Sequence, residues 1–390
     1  MEWPWWHRPE FLPGLGTSMY SSNSVLPLAV AAVWFASIVP AESHAQDAEQ
    51  EPTAAHRWID TIDWSGDLRL RYEGIDEAGE SKRDRFRFRG RFGFDSELTD
   101  KVQFSARLAT SDGDPVSTNL DFGDGFSSKD IAIDQVFVTW NALNDLDIAV
   151  GKMGRPWFRA GGNSLLWDSD LNPEGINATW SSGMLFASLG TFVVDERSDS
   201  DDSLLHSFQA GINKRFSEAS RLVFSAAFFD YTNTIGNKPF YLDRPKGNSV
   251  DAAGNFIYDY DILEISAEYA TVLYDWPVLV FGVWAQNTAV DIQDTAFAVG
   301  FTVGLVEASG NMQFSYAWYE TEADAVMGIF TDSDFGGGNT DSKGHFIEAR
   351  YGLNKNIALN ATFIISEIEM FRNNPHDYDR VQLDIEFIFN

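Results

Sequence analysis

The chain has 390 residues, a formal net charge of -30 and no cysteine. An acid excess of this size argues against binding nucleic acid or docking on anionic lipid, and the lack of cysteine excludes a disulfide scaffold, thiolate metal sites and a Cys nucleophile. Hydrophobic residues at 44% and aromatic residues at 14% argue against disorder, and 31 Phe with 31 Gly suit strands and tight turns.

The N-terminus reads as a secretory leader. An apolar run from Val25 to Val39 precedes the small-x-small site Ser43-His44-Ala45, which places cleavage after Ala45 and a signal peptide over 1–45. Met19 is an alternative start to Met1, and a single helical anchor is the competing reading of the apolar run, which Pro27 interrupts. Residues 46–60 read as a polar periplasmic linker and 61–390 as one barrel domain. No later segment reaches the ~18 consecutive apolar residues of a helical span.

From Trp64 onward the period is two. Leu68, Leu70 and Tyr72 alternate with Asp67, Arg69 and Arg71. Residues 85–94 carry Arg85, Arg87, Arg89 and Arg91 on one parity and Phe86, Phe88, Phe92 and Phe94 on the other. A strand sends successive side chains to opposite faces, so this segment has a cationic and an aromatic wall. Similar alternation marks 103–108, 207–213, 263–269, 296–305, 311–318, 356–366 and 381–389. Sixteen strands are expected, starting near 64, 84, 101, 130, 145, 175, 183, 204, 220, 257, 276, 294, 311, 344, 356 and 379. Their joins alternate between very short turns and mostly long loops, as in an outer-membrane barrel. The fold class is therefore all-β, a transmembrane antiparallel β-barrel of about sixteen strands, with the apolar parity toward lipid and the polar parity toward a wet lumen. Aromatics at strand ends (Trp64, Tyr72, Trp140, Trp180, Tyr231, Tyr274, Trp276, Trp318 and Tyr351) fit interfacial girdles.

Two stretches carry a family resemblance. One is Gly66-Asp67-Leu68-Arg69-Leu70-Arg71-Tyr72-Glu73 with the Arg/Phe strand, Arg107-Leu108-Ala109-Thr110 and Asp114-Pro115-Val116-Ser117-Thr118-Asn119. The other is Gly151-Lys152-Met153 with Leu166-Trp167-Asp168-Ser169-Asp170-Leu171-Asn172-Pro173-Glu174-Gly175. With Phe330-Thr331-Asp332-Ser333-Asp334-Phe335, they resemble the putative-porin family of Gram-negative bacteria. The resemblance covers most of the chain after the leader. It implies a sixteen-stranded pore in the cell outer membrane that passes small hydrophilic solutes or ions. By analogy with sixteen-stranded porins it implies a homotrimer among outer-membrane lipid and lipopolysaccharide. It implies no cofactor.

Permeation then rests on the lumen wall. Seven guanidinium groups facing lipid would each cost ~2–4 kcal/mol near the midplane, so Arg69, Arg71, Arg85, Arg87, Arg89, Arg91 and Arg107 are expected to line the pore. Glu264, Glu268, Glu348, Asp384 and Glu386 are the acids expected on other strands. Together they predict a transverse field, whereas close Arg–carboxylate pairing would merely stiffen the wall. The loop 152–174, with Lys152, Arg155, Arg159, Asp168, Asp170 and Glu174, and with Trp157, Phe158 and Trp167 as anchors, is a candidate constriction, or else packs over the rim. Asp332, Asp334 and Asp341 beside Gly336-Gly337-Gly338 could offer oxygens to Ca²⁺, though their spacing matches no EF-hand loop. The alternatives to a porin are a lipase- or protease-like barrel enzyme and a structural or adhesive barrel. His56, His206, His345 and His376 show no metal-ligand spacing, and no Gly-x-Ser-x-Gly elbow occurs.

Overall fold

The computed structural model describes residues 61–198, 200–370 and 374–389. The leader 1–45, the linker 46–60, Met19 and His56 lie outside the described residues.

The alternating segments form strands β1 (Ile62–Glu77), β2 (Arg83–Thr99), β3 (Val102–Thr110), β4 (Leu120–Asp121), β5 (Ile131–Leu143) and β6 (Leu146–Lys152). After a long loop come β7 (Glu174–Ser182), β8 (Leu185–Asp195), β9 (Ser203–Ser217) and β10 (Ser220–Tyr231). The second half holds β11 (Tyr260–Leu273), β12 (Trp276–Asn287), β13 (Thr295–Gly304), β14 (Met312–Thr321), β15 (Ser342–Asn354), β16 (Ile357–Ile368) and β17 (His376–Phe389). All pairings are antiparallel neighbour to neighbour, and β1 pairs with both β2 and β17, so the sheet closes. Sixteen of these strands make the wall. Expected starts and observed starts agree closely: the strand read near 257 begins at Tyr260, and the one near 379 at His376.

β4 is a patch. β3 stops at Thr110 while β2 continues to Arg83, and the two residues of β4 pair with β2 at Arg87 and Phe88 above the end of β3. The short joins share one rim with the start of β1 and the end of β17. They include the two-residue turn Tyr274–Asp275, whose φ angles of 50° and 68° follow the mirror-image turns that match strand twist. The opposite rim carries the long connections 111–130, 153–173, 232–259 and 322–341.

The Phe/Arg segment shows which face is which. Phe86 and Phe92 are 61% and 47% exposed on the outer surface, whereas Arg87, Arg89 and Arg91 are buried inside. Trp64, Trp140, Trp180, Tyr274 and Trp276 are exposed near the short-turn rim, as girdle residues are. Tyr231 departs from expectation. It is buried, and its ring stacks on Phe240 and Phe330 of the infolded loops.

That departure belongs to a larger one. The lumen wall of β10–β14 is largely apolar, interrupted by polar residues such as Ser225, Glu264, Ser266 and Glu268. Val223, Phe229, Tyr260, Ile262, Phe281 and Val283 point inward into one cluster with the loop residues Trp157, Trp167, Phe240, Phe256, Met327 and Ile329. Burying such side chains contributes ~1.5–3 kcal/mol each. One half of the barrel is therefore filled like a globular core, and the charge is gathered on the other half.

Candidate functional site: an ion-paired wall facing two infolded loops

The charged half is built on β17, β1 and β2, and register alone sets its order. Asp67 stands opposite Arg91. Arg69 stands between Arg89 and Glu386, Arg71 between Arg87 and Asp384, and Glu73 between Arg85 and Gln382. Directly opposed side chains on one face are close enough to interact, so acids interleave with arginines along the wall. Arg71 grips Asp384 with two nitrogens at 2.7 and 2.8 Å. Arg85 and Arg87 reach Glu73, which is fully buried. Asp121 of β4 accepts from Arg83 at 3.2 Å and Arg85 at 3.3 Å, and pairs with Arg87 at 2.9 Å. Asp67 pairs with Arg89 at 2.7 Å and Arg91 at 2.6 Å. On β3, Arg107 meets Asp134 of β5 at 2.5 Å.

The two signs that the sequence was expected to hold on separate walls are thus partly interleaved on one. Asp384 neutralises Arg71, and Glu386 pairs with Arg350 at 2.6 Å. Glu348 faces Asn360. Only Glu264 and Glu268 stand on the far side, where Glu268 pairs with Arg221 at 2.8 Å.

The loop 153–173 crosses the interior. Its tip is bonded to the far wall: Trp157 Nε1 donates to Ser207, Phe158 exchanges two hydrogen bonds with the Gln209 amide, and Gly161 N donates to Glu268 at 2.9 Å. Gly161 has φ 65°, and a Cβ there would lie 2.2 Å from the Phe281 ring, so only glycine fits this approach. Arg159 binds the carbonyls of Asn163 and Trp167, and Arg155 those of Ser169 and Leu171, so both brace the loop's own backbone. Lys152 and Glu174 pair with each other at the loop's base. Asn172 ties the returning limb to Asp134 and Gln135.

The loop 322–341 enters beside it. Asp168 N donates to Phe330 O, Ser333 N to the Asp168 carboxylate, and Asp332 N to Ser164 O. From the two loops one acid each reaches the arginine wall. Asp170 accepts from Thr118 and lies 3.7–3.8 Å from Arg89 and Arg91. Asp334 bonds Arg71 at 3.1 Å, Gln382 at 2.9 Å and Arg380. Burial would push both carboxyls up, but the guanidinium groups outweigh it and hold them well below the usual carboxylate range. Asp334 is thereby committed to arginines, and Asp332 caps the backbone N–H groups of Asp334 and Phe335. With Asp341, they do not gather as a calcium site. Among the described residues no group of three or more His, Asp or Glu side chains is placed to hold a metal.

Asp168 and Asp332 meet at the contact between the loops. Burial, with the neighbouring carboxylates Asp332 and Asp170, raises Asp168; burial, with Asp334, raises Asp332 to about 6. A carboxyl raised in the folded state favours that state most below its ordinary pKa near 4, and the gain is lost as pH climbs through 6. Loop docking should therefore loosen between pH 4 and 7. The rate of protease cleavage within 153–173 is expected to rise over that window, and Asp332→Asn is expected to flatten the profile.

Sequence reasoning assigned no site role to Asp67, Glu73, Asn119, Asp121, Asp134 or Arg380, although Asp67, Glu73 and Asn119 lie in the family-like stretch. Arg380 was within reach, because it shares parity with Gln382, Asp384 and Glu386 on β17. The described histidines stand apart from this centre: His206 bonds Thr191, His345 bonds Tyr316, and His376 lies 3.3 Å from Glu77.

The fold was compared with those of solved structures. OprB of Pseudomonas putida is similar with a TM-score of 0.59 at 12% identity, over 85% of this chain and 95% of that one. OmpT of Vibrio cholerae in its trimer form aligns with a TM-score of 0.49 at 12% identity over 84% of this chain and 99% of that one. A porin of Rhodopseudomonas blastica aligns with 0.48 at 14% identity over 84% and 100%. At such identities the likeness to OprB concerns the fold alone. No curated protein matches the sequence. The family model described as Putative porin matches residues 76–248 and 247–389. That match runs from the end of β1 to the end of β17, so the chain belongs to the putative-porin family and is a diffusion channel of the outer membrane.

Proposed function

We propose that this porin is a narrow, non-enzymatic channel for small polar solutes, in which the loop 153–173 acts as the constriction. The single observation that carries the reading is the fixing of that loop at both ends of its path: its tip on Ser207, Gln209 and Glu268, its returning limb on Asp134, Gln135 and Thr118. A loop bonded across a barrel divides the lumen. With the far half packed by aromatic side chains, solutes are left the charged half, between the ion-paired wall and the two loops. Arg69, Arg71, Arg85, Arg87, Arg89, Arg91 and Arg107, with Asp384 and Glu386, border that passage. Glu264 and Glu268 act from the far side as anchors of the loop, and Glu348 borders the passage beside Asn360.

The non-enzymatic reading is supported by where the described histidines lie, with His206, His345 and His376 each apart from the loop-crossed lumen. Assembly as a homotrimer among outer-membrane lipid and lipopolysaccharide is part of the same reading, supported by the sixteen-stranded porin architecture. Liposome swelling tests the channel. Amino acids and monosaccharides are expected to enter, and tetrasaccharides to be excluded. Equal entry of both would remove the constriction from the reading.

A further inference from the structure

Along the wall, one guanidinium differs from its neighbours. Arg71, Arg85, Arg87, Arg89, Arg91, Arg107, Arg350 and Arg380 each lie against a carboxylate. Arg69 does not. Among the described residues its one hydrogen bond is from NH2 to the neutral Asn119 amide oxygen at 2.7 Å, and its Nε is buried with no partner. Asn119 is itself fixed, since its carbonyl accepts from Arg87.

A second cation is in the same condition nearer the long-loop rim. Lys246, on the loop 232–259, has no ion-pair or hydrogen-bond partner for its ammonium among the described residues. Its Nζ points at Gly338 of the loop 322–341, 3.4 Å from where a Cβ would stand. Burial lowers its pKa, Asp114 opposes this, and Arg244 and Arg380 add to it. Lys246 thus stands against the loop that carries Asp334, and Asp334 bonds both Arg380 and Arg71, the neighbour of Arg69 on β1. Lys246, Arg380, Arg71 and Arg69 form a file down the charged half. Its interior members are in contact with carboxylates, whereas among the described residues its two ends feel Asp384, Asp170 and Asp114 only from beyond ion-pair distance.

We infer that Arg69 and Lys246 are the two anion-binding steps of this channel, and that its preferred solutes are small oxyanions bearing a carboxylate or phosphate group. This rests on the loop-narrowed passage described above. A half-buried cation with no carboxylate in contact is costly, and a permeating oxyanion relieves that cost at each end of the file. Charge-assisted hydrogen bonds give the selectivity, and having two sites instead of one deep trap lets the ion leave. The acid that gives the chain its net charge of -30 does not decide selectivity, because the acids of the charged wall are already matched to arginines.

The test uses the purified full-length chain in planar bilayers, with chloride current and inorganic phosphate or succinate added as the competing oxyanion. The native protein is expected to conduct chloride in preference to potassium, and at least one of the two probes is expected to inhibit that current saturably. Losing one charge-assisted hydrogen bond raises the half-inhibiting concentration roughly tenfold, so Arg69→Gln and Lys246→Gln are each expected to do this, with Arg69→Lys between. Lys355→Gln removes the same unit charge from the exposed short-turn rim and is expected to leave inhibition unchanged. Heat-modifiable migration of each variant reports that the barrel has folded. A current that neither oxyanion inhibits, or one inhibited alike in the native, Arg69→Gln and Lys246→Gln proteins, overturns the proposal while leaving the porin standing. A folded protein that opens no conductance overturns both.

Discussion

Trp157→Ala is expected to give a folded barrel with several-fold higher single-channel conductance. The Trp157 ring is 2% exposed, stacks on Trp167 at 4.4 Å and meets Phe192 and Phe229 edge-on at 5.4 and 5.3 Å. Removing a buried tryptophan costs about 3–5 kcal/mol, and here that cost falls on loop docking. The wall's own hydrogen-bond ladders run between strands and include none of this residue. The loop tip should therefore leave the lumen before any strand separates. Bilayer recordings report the conductance and gel migration the fold; native conductance from a folded variant would contradict the loop's role.

Asp334→Ala is expected to lower the temperature at which the barrel unfolds in detergent and to shift ion preference toward anions. One carboxylate here serves Arg71, Arg380 and Gln382 at once. Breaking a buried pair on one side costs about 3–5 kcal/mol, because the remaining charge is stranded. Arg71 keeps Asp384, but Arg380 is left with Tyr378 and with Glu73 at 3.7 Å. The stranded charge lies in the passage, so reversal potential and stability should move together. A stability loss with an unchanged reversal potential would place Asp334 outside the path of ions.

The barrel was legible because alternation and loop length are local properties of the chain. Phe86 and Arg87 announce their faces without reference to any other strand, and the sorting of short and long joins needs only counting. The far half of the lumen was not legible. β10 carries Phe228 outward and Phe229 inward, so its sequence is apolar on both faces and its inner one looks like a second lipid face. What makes that face inward is the aromatic cargo of the loops, from Phe240 in the next connection to Trp157 and Trp167 in a loop four strands earlier. The pairing of the wall was hidden for a similar reason. Arg69 and Arg71 are two positions apart and chemically alike, yet the register of β1 gives one Glu386 beside it, already taken by Arg350, and the other Asp384 with two open oxygens.

The oily interior also bears on how faithfully the cylinder can assemble. In most of the wall a slip of one residue would drag charges into hydrocarbon, and that penalty protects the alignment. In β10, β12 and β13 such a slip would exchange one greasy surface for another at little cost. Proofreading there falls to a few polar contacts with the inserted segments, chiefly Glu268 on Gly161 and Asn287 on the backbone of Asp324. Misthreaded chains, where they arise, should carry their errors between β10 and β13 and be rescued by strengthening those contacts.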